Sequence, residues 1–533
     1  MSSSRPDVCV IGSGLAGALV ADHLAAAGHK IVMLEAGQRF EPSRRMELME
    51  REVRGEYAWS AIDPGPEIYT STGDYRYRLE GKRLRAVGGS THHWGGLAYR
   101  HHASDFRLQS LYGIGVDWPL DYDELEPFYT RAEEEMGVSG LGGDPFASWR
   151  SREFPMPAFP FSYADKQVVK PACDKLGIAI HSVPFARNSQ EYRDRPGCMA
   201  FGVCHVCPIE AMYNAEVHLR RAEATGNLDL ISQARVVSLK VDSGRRVREA
   251  TYIRPGGEPE SLAAPMFVLA AHTIESIRLL LLSRSDRFPA GLANSSGTLG
   301  RYFMEHWATG MSSQLAQPLY PQRIGFNTAH TLQFYDTPRR HRIGAMKITF
   351  SAGSHDPATL ALESGLWGLE LKKHLRETYG RWLAAIVNVE QLPREDNRIT
   401  LDPDLRDDQG YAAPRIHLSV SEYERRTLRE GRKILIKILH ATGATIPAQE
   451  MIKVRENEFH PIAHHMGGCR MGTDANTSVV DSDLKAHDLD NLYIVGSSVF
   501  PTGGAMNPTL TLAALALRTA EKLKRRIALG VTV

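Results

Sequence analysis

The stretch DVCVIGSGLAGALVADHLAAAGHKIVMLEAG, residues 7–37, decides the fold. An apolar run, a glycine-rich turn, a helical segment and a second apolar run predict a βαβ unit. Gly12 permits a tight turn, Gly14 lets the backbone approach a pyrophosphate, and Gly17 lets the helix pack on the sheet. Glu35, at the end of the second strand, is placed to accept hydrogen bonds from ribose hydroxyls. The turn predicts a site for FAD or NAD, and the alternative is a glycine-rich helix start without a ligand.

The overall composition is that of an ordinary globular protein. The 533 residues, 43% of them hydrophobic, exceed what one simple core holds, so we expect two intertwined domains. The 63 Lys and Arg nearly cancel the 62 Asp and Glu, which gives no support for nucleic acid as a partner. No apolar run approaches the roughly 18 residues of a membrane-spanning helix. The N-terminal residues lack the basic start, apolar stretch and cleavage site of a secretory signal.

Later parts of the chain contain strands that suit the same sheet. APMFVLAA, residues 264–271, and NLYIVGSS, residues 491–498, are short apolar runs. PTLTLAALALRTAEKLKRR, residues 508–526, follows as a helix with a basic end. Because these pieces lie far apart in the sequence, we expect the cofactor domain to be discontinuous.

A second glycine cluster, RLRAVGGSTHHWGG, spans residues 83–96. Gly88 and Gly89 would permit close backbone approach to a flat ring, which the following aromatic and imidazole groups would line. The alternative is a glycine-rich loop with surface histidines.

Two polar groups near the C-terminus suit alcohol oxidation. They lie in HHMGGCRMG, residues 464–472, and in GSSVFPTGGAMNPTLT, residues 496–511. Removing a hydride from an alcohol carbon requires a base for the hydroxyl proton, and His464 suits that role. It also requires a donor aimed at the developing alkoxide, and the amide of Asn507 suits this second role. The alternative is that His464 or His465 is a structural histidine.

Three cysteines, Cys198, Cys204 and Cys207, fall within ten residues, and Pro208 follows the last one. Thiolates held this closely suit an iron–sulfur cluster, in which a proline after the last cysteine recurs. Zinc is an alternative, with His205 as a fourth ligand. A disulfide is the other alternative, and it would leave an odd cysteine.

The four motifs GSGLAG…LEAG, VGGSTHHWGG, HHMGGCRMG and GSSVFPTGGAMNPTLT together resemble the glucose–methanol–choline (GMC) oxidoreductases over nearly the whole chain. Residues 112–138 and 198–214 resemble the flavin subunits of bacterial FAD-dependent sugar dehydrogenases, such as those for glucose, sorbitol, fructose or gluconate. The resemblance implies an α/β fold: a Rossmann-like FAD-binding domain and a substrate domain on an antiparallel sheet covered by helices. The predicted domains are 1–115, 200–309 and 445–533 for FAD, with the cysteine segment at 196–214, and 116–199 and 310–444 for substrate binding and connection.

The resemblance also assigns residues. His464 matches the catalytic base of the family, and Asn507 matches the second catalytic position. His93 matches a position that carries a covalent flavin bond in related pyranose oxidases, and whether it does so here stays open. The predicted cofactor-binding residues are Gly12, Gly14, Gly17, Glu35, Arg85, Gly88, Gly89, His93, Trp94, Gly95, Val237, Gly496, Asn507 and Thr509.

The implied activity is dehydrogenation of a sugar or polyol hydroxyl by hydride transfer to FAD. Cys198, Cys204 and Cys207 would hold a three-iron, four-sulfur (3Fe-4S) cluster that passes electrons to a cytochrome c subunit. A small chaperone-like subunit would carry the export signal and place the enzyme in the periplasm. The alternatives are an oxygen-using pyranose or glucoside oxidase, a non-catalytic flavoprotein electron-transfer subunit, and a cytoplasmic location.

Overall fold

The computed structural model describes residues 5–200, 205–321, 324, 327–352, 357–444 and 459–529. Within this part of the chain the strands are β1 (Val8–Ile11), β2 (Ile31–Leu34), β3 (Thr70–Thr72), β4 (Ser139–Gly140), β5 (Met156–Pro157), β6 (His181–Ser182), β7 (Leu228–Ile231), β8 (Arg235–Val241), β9 (Val247–Ile253), β10 (Glu260–Ala263), β11 (Met266–Leu269), β12 (Trp307–Gln314), β13 (Ala329–Thr331), β14 (Met346–Ala352), β15 (Trp382–Val389), β16 (Arg398–Arg406), β17 (Ala412–His417), β18 (His460–Pro461) and β19 (Leu492–Ile494).

The α-helices of the same residues are α1 (Leu15–Ala26), α2 (Arg44–Val53), α3 (Leu108–Tyr112), α4 (Tyr122–Met136), α5 (Lys170–Lys175), α6 (Glu216–Ala224), α7 (Thr273–Leu282), α8 (Pro357–Ser364), α9 (Gly368–Thr378), α10 (Glu422–Ala441) and α11 (Thr509–Ala528). Short 3-10 turns lie at Ala58–Ala61, Gly89–His92, Ala103–Phe106 and Ser497–Val499, and a π turn lies at Asp165–Val169.

A parallel sheet with the strand order β19-β11-β1-β2-β7 forms the first layer. Every residue of β1 and β11 is apolar and buried, as expected for strands that are covered on both faces. Helix α1 packs against α6 and α11. The predicted βαβ unit is confirmed, and so is the membership of β11 and β19 in the same sheet. The edge strand β7 was not predicted, and its residues are only partly buried or exposed.

Glycines let the turn after β1 approach its neighbours closely. Gly12 has a φ of +99°, and a Cβ atom there would lie 2.5 Å from the carbonyl oxygen of Ala270. A Cβ atom on Gly17 would lie 2.0 Å from the carbonyl oxygen of Gly12. No side chain fits at either position, so the tight turn and the close helix packing both require glycine.

The second main layer is an antiparallel sheet with the strand order β18-β12-β15-β14-β13-β6. Helix α10 packs on β12 and β15, where a Cβ atom on Gly431 would lie 2.8 Å from the Val387 side chain. The predicted α/β fold, with one parallel sheet and one antiparallel sheet covered by a helix, is confirmed. Three smaller sheets have the strand orders β10-β9-β8, β16-β17-β3 and β4-β5.

The division of the chain into two domains stays a prediction, and residues 445–458 of the predicted FAD domain lie outside the described residues. Among the helices of the described residues, none combines the length and the apolar character needed to cross a lipid bilayer.

A buried ion network anchors the antiparallel sheet. The guanidinium of Arg340, which has no exposed surface, donates to Glu390 immediately after β15 at 3.1 and 2.8 Å. It also donates to Asp105 and, at 2.9 Å, to Asp336. The three carboxylates come from different parts of the chain, so this one cation holds three segments together.

We predict that Arg340→Met lowers the free energy of unfolding by about 3–5 kcal/mol, because Asp105 and Glu390 would be left as buried, uncompensated charges. Urea unfolding and the melting temperature measure this loss. The control is Arg429→Met, which removes an exposed pair with Glu422 and should change stability little. Equal stability of the two variants would show that the network does not anchor the sheet.

Candidate active site

A cavity of about 750 Å³ lies at the carboxyl ends of the parallel strands, where open α/β sheets bind ligands. Residues directly after β1, β2, β11 and β19 line it, and so do His464 and Asn507. The predicted cofactor-binding residues that line this cavity are Gly12, Gly14, Glu35, Arg85, Gly89, His93, Trp94, Gly95, Val237, Gly496, Asn507 and Thr509.

The other two predicted cofactor-binding residues, Gly17 and Gly88, do not line the cavity. The backbone N–H of Gly88 donates to Ser13 Oγ at 3.1 Å. A Cβ atom on Gly89 would lie 3.2 Å from the Cα atom of Gly14. The two glycine-rich loops therefore touch, and sequence motifs alone did not predict this contact.

The carboxylate of Glu35 is held by the first turn. Its Oε2 accepts hydrogen bonds from Ser13 N at 2.9 Å and Ser13 Oγ at 2.7 Å, and its Oε1 accepts one from Gly37 N at 2.7 Å. Burial raises the pKa of Glu35, although these donors oppose the shift. Glu35 also lines the cavity, where an acidic side chain can accept hydrogen bonds from ribose hydroxyls. This environment fits the ribose of a dinucleotide.

The side chains of the second glycine cluster are mostly engaged by the protein. Arg85 Nε donates to Asp63 at 3.1 Å, and Trp94 Nε1 donates to the carbonyl oxygen of Tyr213 at 2.8 Å. Burial lowers the pKa of His93 to about 4, so its ring is neutral near pH 7. Trp94 and His93 therefore offer ring surfaces to the cavity, as a flat ligand requires.

His464 and Asn507 meet at one wall of the cavity. His464 Nε2 lies 3.1 Å from Asn507 Nδ2, although the two residues are 43 positions apart. The backbone N–H of His464 donates to Glu305 Oε2 at 2.8 Å, which holds the loop. Burial, with His306 adding to it, lowers the pKa of His464 well below its ordinary value. The ring is thus neutral, as a base must be.

The hydrogen bonds of His306 assign the proton position on His464. His306 Nε2 lies 3.2 Å from the carbonyl oxygen of Gly503, which can only accept, so Nε2 carries the hydrogen. Burial lowers the pKa of His306 to about 3, so its Nδ1 is unprotonated. His464 Nδ1 lies 2.8 Å from that atom and must donate to it. The lone pair of His464 is therefore on Nε2, facing Asn507.

The next residue, His465, has a different environment. It is buried, with Nε2 at 2.5 Å from the Tyr77 hydroxyl and Nδ1 at 3.0 Å from His272 Nε2. Tyr77 also donates to Glu305, and burial raises the pKa of that carboxyl. His465 is thus the structural histidine of the pair, and it supports the loop that positions His464.

The sequence motifs did not point to His306, Glu305 or Lys347. Glu305 and His306 interrupt the apolar residues of FMEHWA, residues 303–308, and Lys347 is a single charge within the apolar run of β14. Ionisable residues inside apolar runs are rarely buried without a role, which is the signal that could have found them. The ammonium of Lys347 donates to Asn507 Oδ1.

The cysteine segment adjoins the cavity, because His205 of this segment lines the cavity. The Nδ1 atom of His205 lies 3.4 Å from the carbonyl oxygen of His93. Cys198 Sγ accepts from the backbone N–H of Ala200 at 3.3 Å, and Cys207 Sγ accepts from that of Met212 at 3.5 Å. Both are free thiols. The third predicted metal ligand, Cys204, lies outside the described residues.

Comparison with known proteins decides the family. A family model for GMC oxidoreductases matches residues 393–516. The large subunit of fructose dehydrogenase from Gluconobacter japonicus is 34% identical over 97% of each chain. This chain is a GMC oxidoreductase. Like its family, it is an FAD enzyme that acts on CH–OH groups.

Two further proteins are similar to this GMC oxidoreductase, one in sequence and one in fold. The 2-methyl-1,2-propanediol dehydrogenase of Mycolicibacterium austroafricanum is 32% identical, over 98% of this chain and 96% of that protein. Pyridoxine 4-oxidase from Mesorbium loti shares the fold, with a TM-score of 0.69 at 20% identity, over 98% of this GMC oxidoreductase and 99% of that chain. The family resemblance inferred from the four motifs is thereby confirmed.

Proposed function

We propose that this chain is the flavin-bearing subunit of a sugar or polyol dehydrogenase in which His464 and Asn507 perform the proton chemistry. The observation that carries the proposal is the pair itself. An imidazole with its lone pair on Nε2 and an amide nitrogen lie 3.1 Å apart at the wall of one cavity. A substrate hydroxyl that enters between them would meet a base and a donor together.

The proposed reaction removes one proton and one hydride from a CH–OH carbon. His464 Nε2 accepts the hydroxyl proton, and the Nδ2–H group of Asn507 donates to the alkoxide oxygen. FAD, when bound, supplies the two-electron acceptor that takes the hydride. The product is a lactone or a keto-sugar, depending on which carbon is oxidised. His306 keeps the Nδ1 hydrogen of His464 engaged, so only Nε2 is available as the base.

We assign a sugar or polyol as the substrate class on the basis of the relatives. The similar chains include a fructose dehydrogenase subunit and a diol dehydrogenase, both identical to this chain at more than three positions in ten. Both act on substrates with more than one hydroxyl group, as their names state. An activity assay across glucose, glucosides, sorbitol, fructose and gluconate, with identification of the products, would show which sugar reacts and at which carbon.

Cys198, Cys204 and Cys207 would hold a three-iron, four-sulfur cluster in this proposal. The two described thiols each accept a backbone N–H, and hydrogen bonds to sulfur tune such clusters. The guanidinium of Arg45 lies near Cys207 and is bound to Glu210 at 3.1 Å. The iron–sulfur cluster, when bound, would supply one-electron transfer next to the cavity.

We further propose that the chain works with partner subunits. A similar chain is named a large subunit, which supports at least one smaller partner. The proposed partners are a small chaperone-like subunit that carries the export signal and a cytochrome c subunit. Their presence would place the enzyme in the periplasm at the membrane.

A substitution of His464 tests its proposed role as the general base. His464→Ala should lose about 10²–10⁴-fold in the rate of flavin reduction by the best sugar, because the proposed general base would be missing. Anaerobic stopped-flow absorbance measures that rate. The control is His341→Ala, an exposed histidine outside the site, which should reduce flavin at the native rate. Unchanged reduction in His464→Ala, with FAD retained, would refute the proposed function.

The second prediction tests the cluster. Purified chain should contain iron and acid-labile sulfide in the ratio of a three-iron, four-sulfur cluster, with a low-temperature EPR signal. Cys207→Ser should lose both the iron and the signal while keeping FAD. The buried thiol of Cys173 serves as the control, since Cys173→Ala should keep the cluster. Zinc without sulfide would contradict the assignment.

The third prediction concerns the acceptor. With sugar present, the chain should reduce an artificial dye or added cytochrome c much faster than it consumes oxygen. Purification of the tagged full chain from its own host should recover a haem-containing subunit and a small subunit. Rapid oxygen consumption by the chain alone would favour the oxidase alternative.

A further inference from the structure

An asparagine amide can stand in two orientations that differ by a half-turn about its last bond. One orientation presents the Nδ2–H groups to the cavity, and the other presents Oδ1. Only the first can donate to an alkoxide. The orientation of Asn507 is therefore part of the chemistry, and something in the protein must fix it.

Lys347 is placed to do so. It lies on β14, its side chain has no exposed surface, and its Nζ donates to Asn507 Oδ1. The ammonium lies over the ring of Tyr99, 4.3 Å from its centroid. Lys347 does not line the cavity, so it reaches Asn507 from behind rather than from the substrate side.

A lysine ammonium has three donors and no acceptor. It cannot face the Nδ2–H groups, because two donors would then oppose each other in a buried site. On the other side of the amide, the lone pair of His464 Nε2 requires a donor. Lys347 contacts Oδ1 and His464 contacts Nδ2, and each of these contacts requires the same orientation of the Asn507 amide.

We propose that Lys347 is a positioning residue that holds the Asn507 amide with Nδ2 toward His464 and the substrate. This inference rests on the proposed function. It completes a directed chain that runs from Lys347 Nζ through Asn507 and His464 to His306 and the carbonyl oxygen of Gly503. Each member donates to the next, in one direction only.

The environment of Lys347 makes this role sensitive to pH. Burial lowers the pKa of Lys347 to about 7. Among the groups that face it, burial lowers the pKa of His306, His330 and His464 and raises the pKa of Tyr99 well above its ordinary value. A neutral amine has a lone pair, so above pH 7 it can also accept from Nδ2. Only the lone pair of His464 Nε2 then still requires the productive orientation of the amide, so the flipped orientation becomes less unfavourable than it is beside the ammonium.

The test is the rate constant of flavin reduction, measured by anaerobic stopped flow between pH 6 and 9. The native rate constant should be highest near pH 6 and fall through a midpoint near 7. Lys347→Met should lower the rate constant about ten- to a hundredfold at pH 6 and give a flat profile. The substrate Kd should stay within about a factor of two, because Lys347 does not reach the cavity.

Two further variants separate positioning from packing. Lys347→Arg keeps a permanent donor, so it should restore much of the rate and abolish the fall above pH 7. Tyr99→Phe keeps the ring beneath the ammonium but removes the contact with His330, and it should keep the native profile. FAD content and circular dichroism check that each variant is folded.

A native rate and pH profile in folded Lys347→Met would overturn this inference, and so would a slow Lys347→Met that Lys347→Arg leaves equally slow and equally pH-dependent. His464→Ala distinguishes the two proposals. If His464→Ala is inactive while Lys347→Met is normal, only the role of Lys347 fails. If His464→Ala is fully active, the proposed function itself fails.

Discussion

A histidine serves as a base only while its lone pair faces the proton that it must take. In the proposed function that base is His464, and hydrogen bonds with one permitted direction, from Lys347 through Asn507 and His464 to His306, would hold its lone pair in place. The members come from both main sheets: Lys347 lies on β14 and His306 directly precedes β12, whereas Asn507 leads into α11 beside the parallel sheet. The site therefore exists only when the two layers are packed together.

Glycine contacts set the other half of the cavity. The turn after β1 lies against Ala270, and Gly89 brings the second glycine-rich loop against Gly14. A side chain at Gly12 or Gly89 would separate these backbones. The close approach of these backbones forms one end of the cavity. The same cavity is lined by Glu35, His464 and Asn507. In the proposed function this one cavity would hold both FAD and a substrate beside His464 and Asn507.

The sequence predicted what local patterns encode. The βαβ unit follows from residues 7–37, and the two polar loops near the C-terminus follow from their glycines and their His464 and Asn507. The sequence did not reveal His306 or Lys347, and it left open whether His464 or His465 is the structural histidine. Lys347 is 160 positions from the amide that it contacts, and no periodicity or spacing reports a contact of that range. Edge strand β7 was missed because its partly exposed residues lack the apolar run that marks β1.

The central claim is that a substrate in this cavity transfers a hydride to FAD from a carbon that bears a hydroxyl group. Its most direct test is anaerobic mixing of the FAD-loaded chain with the most reactive sugar or polyol, in ordinary and perdeuterated form. We predict that the flavin absorbance bleaches in proportion to the substrate oxidised, and that it bleaches severalfold more slowly with the deuterated substrate. Bleaching at equal rates with both forms, or no bleaching with any sugar or polyol, would contradict the claim.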